Sequence, residues 1–399
     1  MINNIITTFA GLSAVAQAAT AGHRAGPKCT DFLIPVHASS SKMVPAGNIP
    51  DGMAKPEVLV DYLLSQATSS LIAGPLGAIG SVEQSGDFEM SARYCEPAVH
   101  VASRAHTIQY LQHAITSGKD YWNGVTYPVG FAGDMYSYSK AASDNGYATI
   151  ALDNLGSGNS SHPDPVAVVQ MALQAQIAHE IITMLREGKV QGPVAGKTFN
   201  KVIYVGHSYG SIMGNAIAAT FPDDVNAFVL TGYTGEFVAG APPLLSGVAV
   251  PAALAMPKFA DLPVGYLAQT YEPGRLYAFY TVDNVGGFDP AMPQYDFDNQ
   301  GTVALGELAT LFYGLTPAKE FTGSVFVVTG HQDAIVCNNL GGADCYKPAN
   351  KLDAAKGFWP AAKDYSYIIP EKTGHAANLH YSSPESFKKV HAYLASQGL

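Results

Sequence analysis

The decapeptide Val202-Ile203-Tyr204-Val205-Gly206-His207-Ser208-Tyr209-Gly210-Ser211 joins an apolar strand to a run of small residues through Gly-x-Ser-x-Gly. A strand that turns at once into a helix holds its serine in a strained conformation with the hydroxyl presented, and glycine at positions 206 and 210 lets strand and helix approach closely. The N-terminus of the helix that follows favours negative charge developing beside Ser208. Residue types and spacing therefore point to a serine nucleophile for acyl chemistry, which needs a base to take its proton.

The elements that must carry this turn are legible as an alternation. The sequence predicts a polar/apolar strand beginning at Gly86, then strands at Thr107–Gln112 and Ala148–Leu152. A long helix is predicted over 165–187, with Asp164 at its start and Gly188 at its end. A strand over 201–205, a small-residue helix over 211–220 and a strand at Ala227–Thr231 continue the series. Strands at 324–329 and 365–369 and a helix over 384–396 close it. Apolar strands alternating with helices predict an α/β architecture, a mostly parallel central sheet with helices on both faces. Over residues 235–315 the alternation stops and aromatic residues gather among prolines and glycines, which predicts an inserted cap (lid). Residues 21–85 read as an irregular N-terminal arm with one helical stretch over 56–70, leaving 86–234 and 316–399 as the core.

The strand, the Gly-x-Ser-x-Gly turn and the order of elements resemble the α/β-hydrolase superfamily from about Gly86 to the C-terminus, and more loosely its secreted fungal serine hydrolases of esterase type. In that family the order is nucleophile, acid, histidine. The resemblance implies Asp333, after the strand over 324–329, as the acid, and His375, after the last strand, as the general base. Glu236 is an alternative acid, because some relatives carry theirs after the preceding strand, and His380 lies five residues beyond His375. For the oxyanion hole the resemblance implies the backbone N–H of Tyr209 and a second from Ala114 or Ile115, where His113-Ala114 stands for the family's His-Gly. The stretch from Asp153 to Ser160 resembles the family's Asp-x-x-Gly-x-Gly-x-Ser loop, a turn beside the active site. His207, His179 and His331 read as structural.

Composition narrows the function from outside. Of 399 residues 47% are hydrophobic and 14% charged, enough apolar surface for a sizeable core. Lysine and arginine number 22 against 32 acidic residues, a net charge of −10, and no basic run offers itself to nucleic acid. No Cys/His spacing suits a metal, and the glycine-rich loop lacks the signatures of a nucleotide cradle, so no cofactor is expected. The apolar run near the N-terminus and the site at Ala16-Gln17-Ala18 predict a signal peptide over residues 1–20 and a secreted protein with no stable membrane span; oligomeric state is unknown. The four cysteines allow three pairings; the most economical joins Cys29 to Cys95 and Cys337 to Cys345. The expected function is cleavage of a small-molecule substrate, an uncharged, fairly apolar ester, lactone or amide, through an acyl-enzyme. Two alternatives use the same scaffold: acyl transfer or a lyase or cyclase step in secondary metabolism, and non-catalytic binding.

Overall fold

The computed structural model describes residues 27–45, 51, 52, 55, 57, 58, 61, 62, 65, 81–235, 241–284, 286–339 and 342–399. The expected signal peptide, Glu236 and most of the expected helix over 56–70 lie outside the described residues.

Eight strands form the central sheet: β1 (Cys29–Met43), β2 (Val82–Cys95), β3 (Thr107–Gln112), β4 (Ala148–Leu152), β5 (Lys201–His207), β6 (Ala227–Thr231), β10 (Ser324–Val328) and β13 (Asp364–Ile368). Their order is β1-β2-β4-β3-β5-β6-β10-β13. From β4 to β13 every neighbouring pair is parallel, while β2 runs antiparallel to β4 and to β1. The sheet is thus mostly parallel, as expected, but it opens at Cys29 and not at Gly86. The stretch read as an irregular arm contains a 15-residue strand. In β1 the buried residues Ile34, Val36 and Ala38 alternate with exposed ones, a period-two pattern interrupted to the eye by Pro35 and the serines that follow. Pro35 is tolerated because β1 is the edge of the sheet. Cys29 and Cys95 are partners in the β1–β2 register, and a disulfide joins them.

Side chains of successive strand residues leave the sheet on opposite faces. On one face Tyr138 of α1 (Tyr138–Asp144) donates to Gln109 of β3 at 2.8 Å, and Phe326 of β10 stacks on Tyr393. On the other Tyr110 stacks on Tyr204, whose hydroxyl donates to the Gly210 carbonyl at 2.7 Å. Helix α2 spans Met171–Glu187, shorter than the expected 165–187. Asp164 instead caps a separate turn, accepting from Val166 and Ala167, and Gly188 ends the helix in the left-handed conformation. Helix α3 (Tyr209–Thr220) packs against α2 and β5.

Between β6 and β10 lie a three-stranded antiparallel sheet, β7 (Ala249–Pro251), β8 (Tyr266–Gln269) and β9 (Val303–Ala304), and the helices α4 (Met292–Asp298) and α5 (Leu305–Thr310). After β10, Cys337 and Cys345 are bonded to each other and flank a two-stranded ribbon, β11 (Asn338–Asn339) and β12 (Gly342–Ala343). Both expected disulfide pairs are present. Among the described residues no helix is long and apolar enough to cross a membrane.

The chain ends in α6 (Ser383–Ser396), which carries a histidine with a clear thermodynamic signature. His391 is buried between the rings of Tyr138 and Tyr147; its Nδ1–H donates to the Phe387 carbonyl, and its Nε2 has no partner. Burial pushes its pKa down to about 4. A histidine depressed in the folded state contributes stability above its unfolded pKa of about 6.5, and that contribution is lost as pH falls toward the folded value. Between pH 7 and pH 5 His391 alone removes about 2 kcal/mol by this linkage. Urea unfolding at the two pH values should therefore show a difference about 2 kcal/mol smaller in His391→Phe than in the natural chain; equal differences would show that His391 is not buried neutral.

Candidate active site

Ser208 sits where β5 gives way to α3, with φ +52° and ψ −113°, a conformation rare for a residue with a side chain. Its N–H donates to the Thr231 carbonyl of β6 at 2.9 Å, and the Ser211 hydroxyl donates to the same oxygen at 2.8 Å, so the turn is tied to the neighbouring strand. The two glycines are required sterically. A Cβ at position 206 would lie 2.5 Å from the Gly210 carbonyl oxygen, and one at 210 would lie 2.2 Å from that of Gln112.

Two loops at the C-terminal ends of parallel strands bring the next groups to Ser208. Its Oγ lies 2.7 Å from His375 Nε2, and His375 Nδ1 lies 2.8 Å from Asp333 Oδ2. Asp333 is 0% exposed, His375 2% and Ser208 8%. The second carboxylate oxygen of Asp333 accepts from the N–H of Ile335 and of Val336, at 2.9 and 3.0 Å. That leaves Oδ2 for the imidazole, puts the histidine proton on Nδ1 and leaves Nε2 free to accept from the serine hydroxyl.

His380 is elsewhere in character. Its Nε2 accepts from Gly374 N and its Nδ1–H donates to the Ala376 carbonyl, so both nitrogens are occupied by the loop that carries His375. Burial lowers its pKa to about 4. His207 stacks on Tyr121 at 4.5 Å and lies against His375; His179 pairs with Asp224, and His331 bridges Glu371 and Asp344.

Tyr209 begins α3, and its ring is anchored from α2 and α5, because Gln174 Nε2 donates both to Tyr209 Oη and to Glu307. Across the site, His113 Nε2 accepts from Asn154 N at 2.9 Å and its Nδ1–H donates to the Ala114 carbonyl at 2.6 Å. In a planar trans peptide the carbonyl and the following N–H point in opposite directions, so the Ile115 N–H is turned away from His113. Ala114 and Ile115 line a pocket of about 20 Å³ together with His207 and His375. The loop makes its left-handed turn at Thr116 (φ +52°), so the alanine that stands for the family's glycine is not asked to adopt that conformation.

Several residues of this site carry no sequence signal. Phe279 stacks along His375 at 5.7 Å, and its carbonyl accepts from Ala376 N. Arg275 is buried, forks onto both oxygens of Asp296 at 2.9 Å, and donates to Thr116 and Gln269. Lys119 pairs with Asp153 at 2.7 Å. All but Asp153 come from stretches without a motif; the scarcity of basic residues, 22 in the chain, is the one hint that a lysine or arginine among aromatics is placed for a reason.

A family model of the alpha/beta hydrolase fold matches residues 127–273. No curated protein matches the chain. Similar solved structures include an alpha/beta hydrolase fold protein from Chitinophaga pinensis (17% identity, 77% of this chain and 94% of that one, TM-score 0.47). A thermophilic esterase from Thermogutta terrifontis shares 12% identity over 79% of this chain and 96% of that one, TM-score 0.47. A monoacylglycerol lipase from Paleococcus ferrophilus shares 14% over 73% and 94%, TM-score 0.46.

Proposed function

We propose that this chain, whose fold is the α/β-hydrolase fold, is a serine hydrolase that cleaves an uncharged ester, lactone or amide through an acyl-enzyme on Ser208. The observation that carries this reading is the continuous hydrogen-bonded line from Ser208 Oγ through His375 to Asp333, mounted on a strained turn. In the first half-reaction Ser208 Oγ bonds to the acyl carbon while its proton passes to His375 Nε2. The bond to the leaving group breaks, and that proton passes to the departing oxygen or nitrogen. Water then gives a proton to His375 and its oxygen to the acyl carbon; the Ser208–acyl bond breaks and the proton returns to Ser208. The N–H groups of Tyr209 and Ile115 receive the negative charge of each tetrahedral intermediate. Asp333 holds the imidazole tautomer and stabilises the imidazolium. The two disulfides support a protein made for an oxidising compartment, in keeping with export.

A fluorophosphonate probe should label the natural chain at Ser208 and fail to label Ser208→Ala, with a short-chain aryl ester turned over only by the natural chain. Absence of labelling in folded protein would refute the reading.

A further inference from the structure

Among the described residues, two cavities that share part of their walls differ in size and character. The pocket beside His375 has room for about one water-sized group, about 20 Å³, and its apolar lining includes Ile115, Phe279 and Leu379. Ser117, Tyr121 and Asp296 are shared with a second cleft of about 360 Å³, which runs away from the triad between the Ser117–Asp120 stretch, the Asp153 loop and the end of α4.

The carboxylates of that cleft are all paired within the protein. Lys119 is paired with Asp153, Asp296 with Arg275, and Asp120 with Arg93. The Lys258 ammonium donates to the carbonyls of Asp298 and Gln300, two of its three N–H groups. Each carboxylate on the wall is paired with a cation of the protein, so a cationic substrate gains no unpaired partner, and Lys258, held by carbonyls alone, keeps an N–H for a substrate oxygen. Beside the apolar Val125 and Phe259, the wall offers hydrogen bonding: the third N–H of Lys258 and the side chains of Asn159 and Asn299. A hydroxyl can exchange its waters for such groups, whereas a hydrocarbon would strip them bare.

Resting on the serine-hydrolase reading above, we infer that the substrate is the ester of a short acyl group, of acetyl size, with an uncharged alcohol bearing several hydroxyls, of sugar or polyol type. The acyl group occupies the small pocket and the alcohol the cleft.

The test compares acetate esters of methyl glucoside, of hexanol and of choline, and the octanoate ester of methyl glucoside, with fluorophosphonate labelling run in parallel. The expected kcat/KM is at least about tenfold higher for the glucoside acetate than for hexyl acetate or acetylcholine, and about a hundredfold lower for the octanoate than for the acetate. Asn299→Trp, which fills the cleft, should raise KM for the glucoside acetate about tenfold. Leu379→Ala should raise activity on the butanoate ester relative to the acetate; Ile115→Val, which keeps the backbone donor, makes the same test should Leu379→Ala fold poorly. Preference for hexyl acetate, or an octanoate turned over as well as the acetate, overturns the inference. If Ser208 is still labelled, that failure leaves the serine-hydrolase reading standing; loss of labelling takes both down.

Discussion

Asp333→Asn should lower kcat for an aryl acetate by about 10⁴, and Ser208→Ala by about 10⁶, while the double variant is no worse than Ser208→Ala alone. The asparagine effect follows from the hydrogen bonds around Asp333. Oδ1 accepts from two backbone N–H groups, Ile335 and Val336, so an asparagine keeps its carbonyl oxygen there and places its amide nitrogen where Oδ2 was. That nitrogen donates, which forces His375 Nδ1 to accept and moves the imidazole proton to Nε2. Nε2–H then faces the Ser208 hydroxyl from 2.7 Å and cannot take its proton. Geometry and folding survive the change, so KM should move little while kcat falls, and circular dichroism should be unaltered. The double variant adds nothing because the three side chains act as one unit. A loss below tenfold in Asp333→Asn would remove Asp333 from the role of acid.

The contrast between what could and could not be read from the residues has a physical origin. The turn at Ser208 was legible because its strain needs glycine at two fixed positions and its strand is buried on both faces, leaving an unbroken apolar run. Asp333 and His375 came from the resemblance, which looks for an acid and a histidine after later strands, and a parallel sheet delivers such loops to one end. Strand β1 was missed for the opposite reason: an edge strand accepts Pro35 and polar residues, which look like loop punctuation. The start of α2 was misplaced because Asp164 does cap backbone N–H groups, but those of a turn that ends before the helix begins at Met171. Phe279, Arg275 and the cleft depend on how the insertion settles on the core, a tertiary fact that leaves no local period in the sequence.

Lys119 and Asp153 give the largest expected effect on stability. The ion pair is 7% and 3% exposed at its two side chains, and Asp153 does more than neutralise the lysine. Its carboxylate also accepts from Lys119 N at 2.8 Å and Asn159 N at 3.2 Å, while the Lys119 ammonium donates to Ser91. Burial alone would push the Asp153 carboxyl up, but Lys119 and the hydrogen bonds hold it below the usual carboxylate range. Asp153→Ala leaves an ammonium buried beside Ser91 and two backbone N–H groups without their acceptor, so it should cost about 4 to 5 kcal/mol. Lys119→Met leaves a carboxylate that keeps both backbone donors, and should cost about 3 kcal/mol. The double variant buries no unpaired charge, so its cost should fall short of the sum of the singles by about 2 kcal/mol or more. Urea unfolding of the four proteins measures this coupling, and additivity within about 0.5 kcal/mol would mean that the two side chains are independently solvated. Because the pair forms one wall of the polar cleft, the same four proteins also separate its two roles: a folded double variant that still turns over a small aryl acetate but has lost its preference for a hydroxylated alcohol would place the pair in recognition as well as in stability.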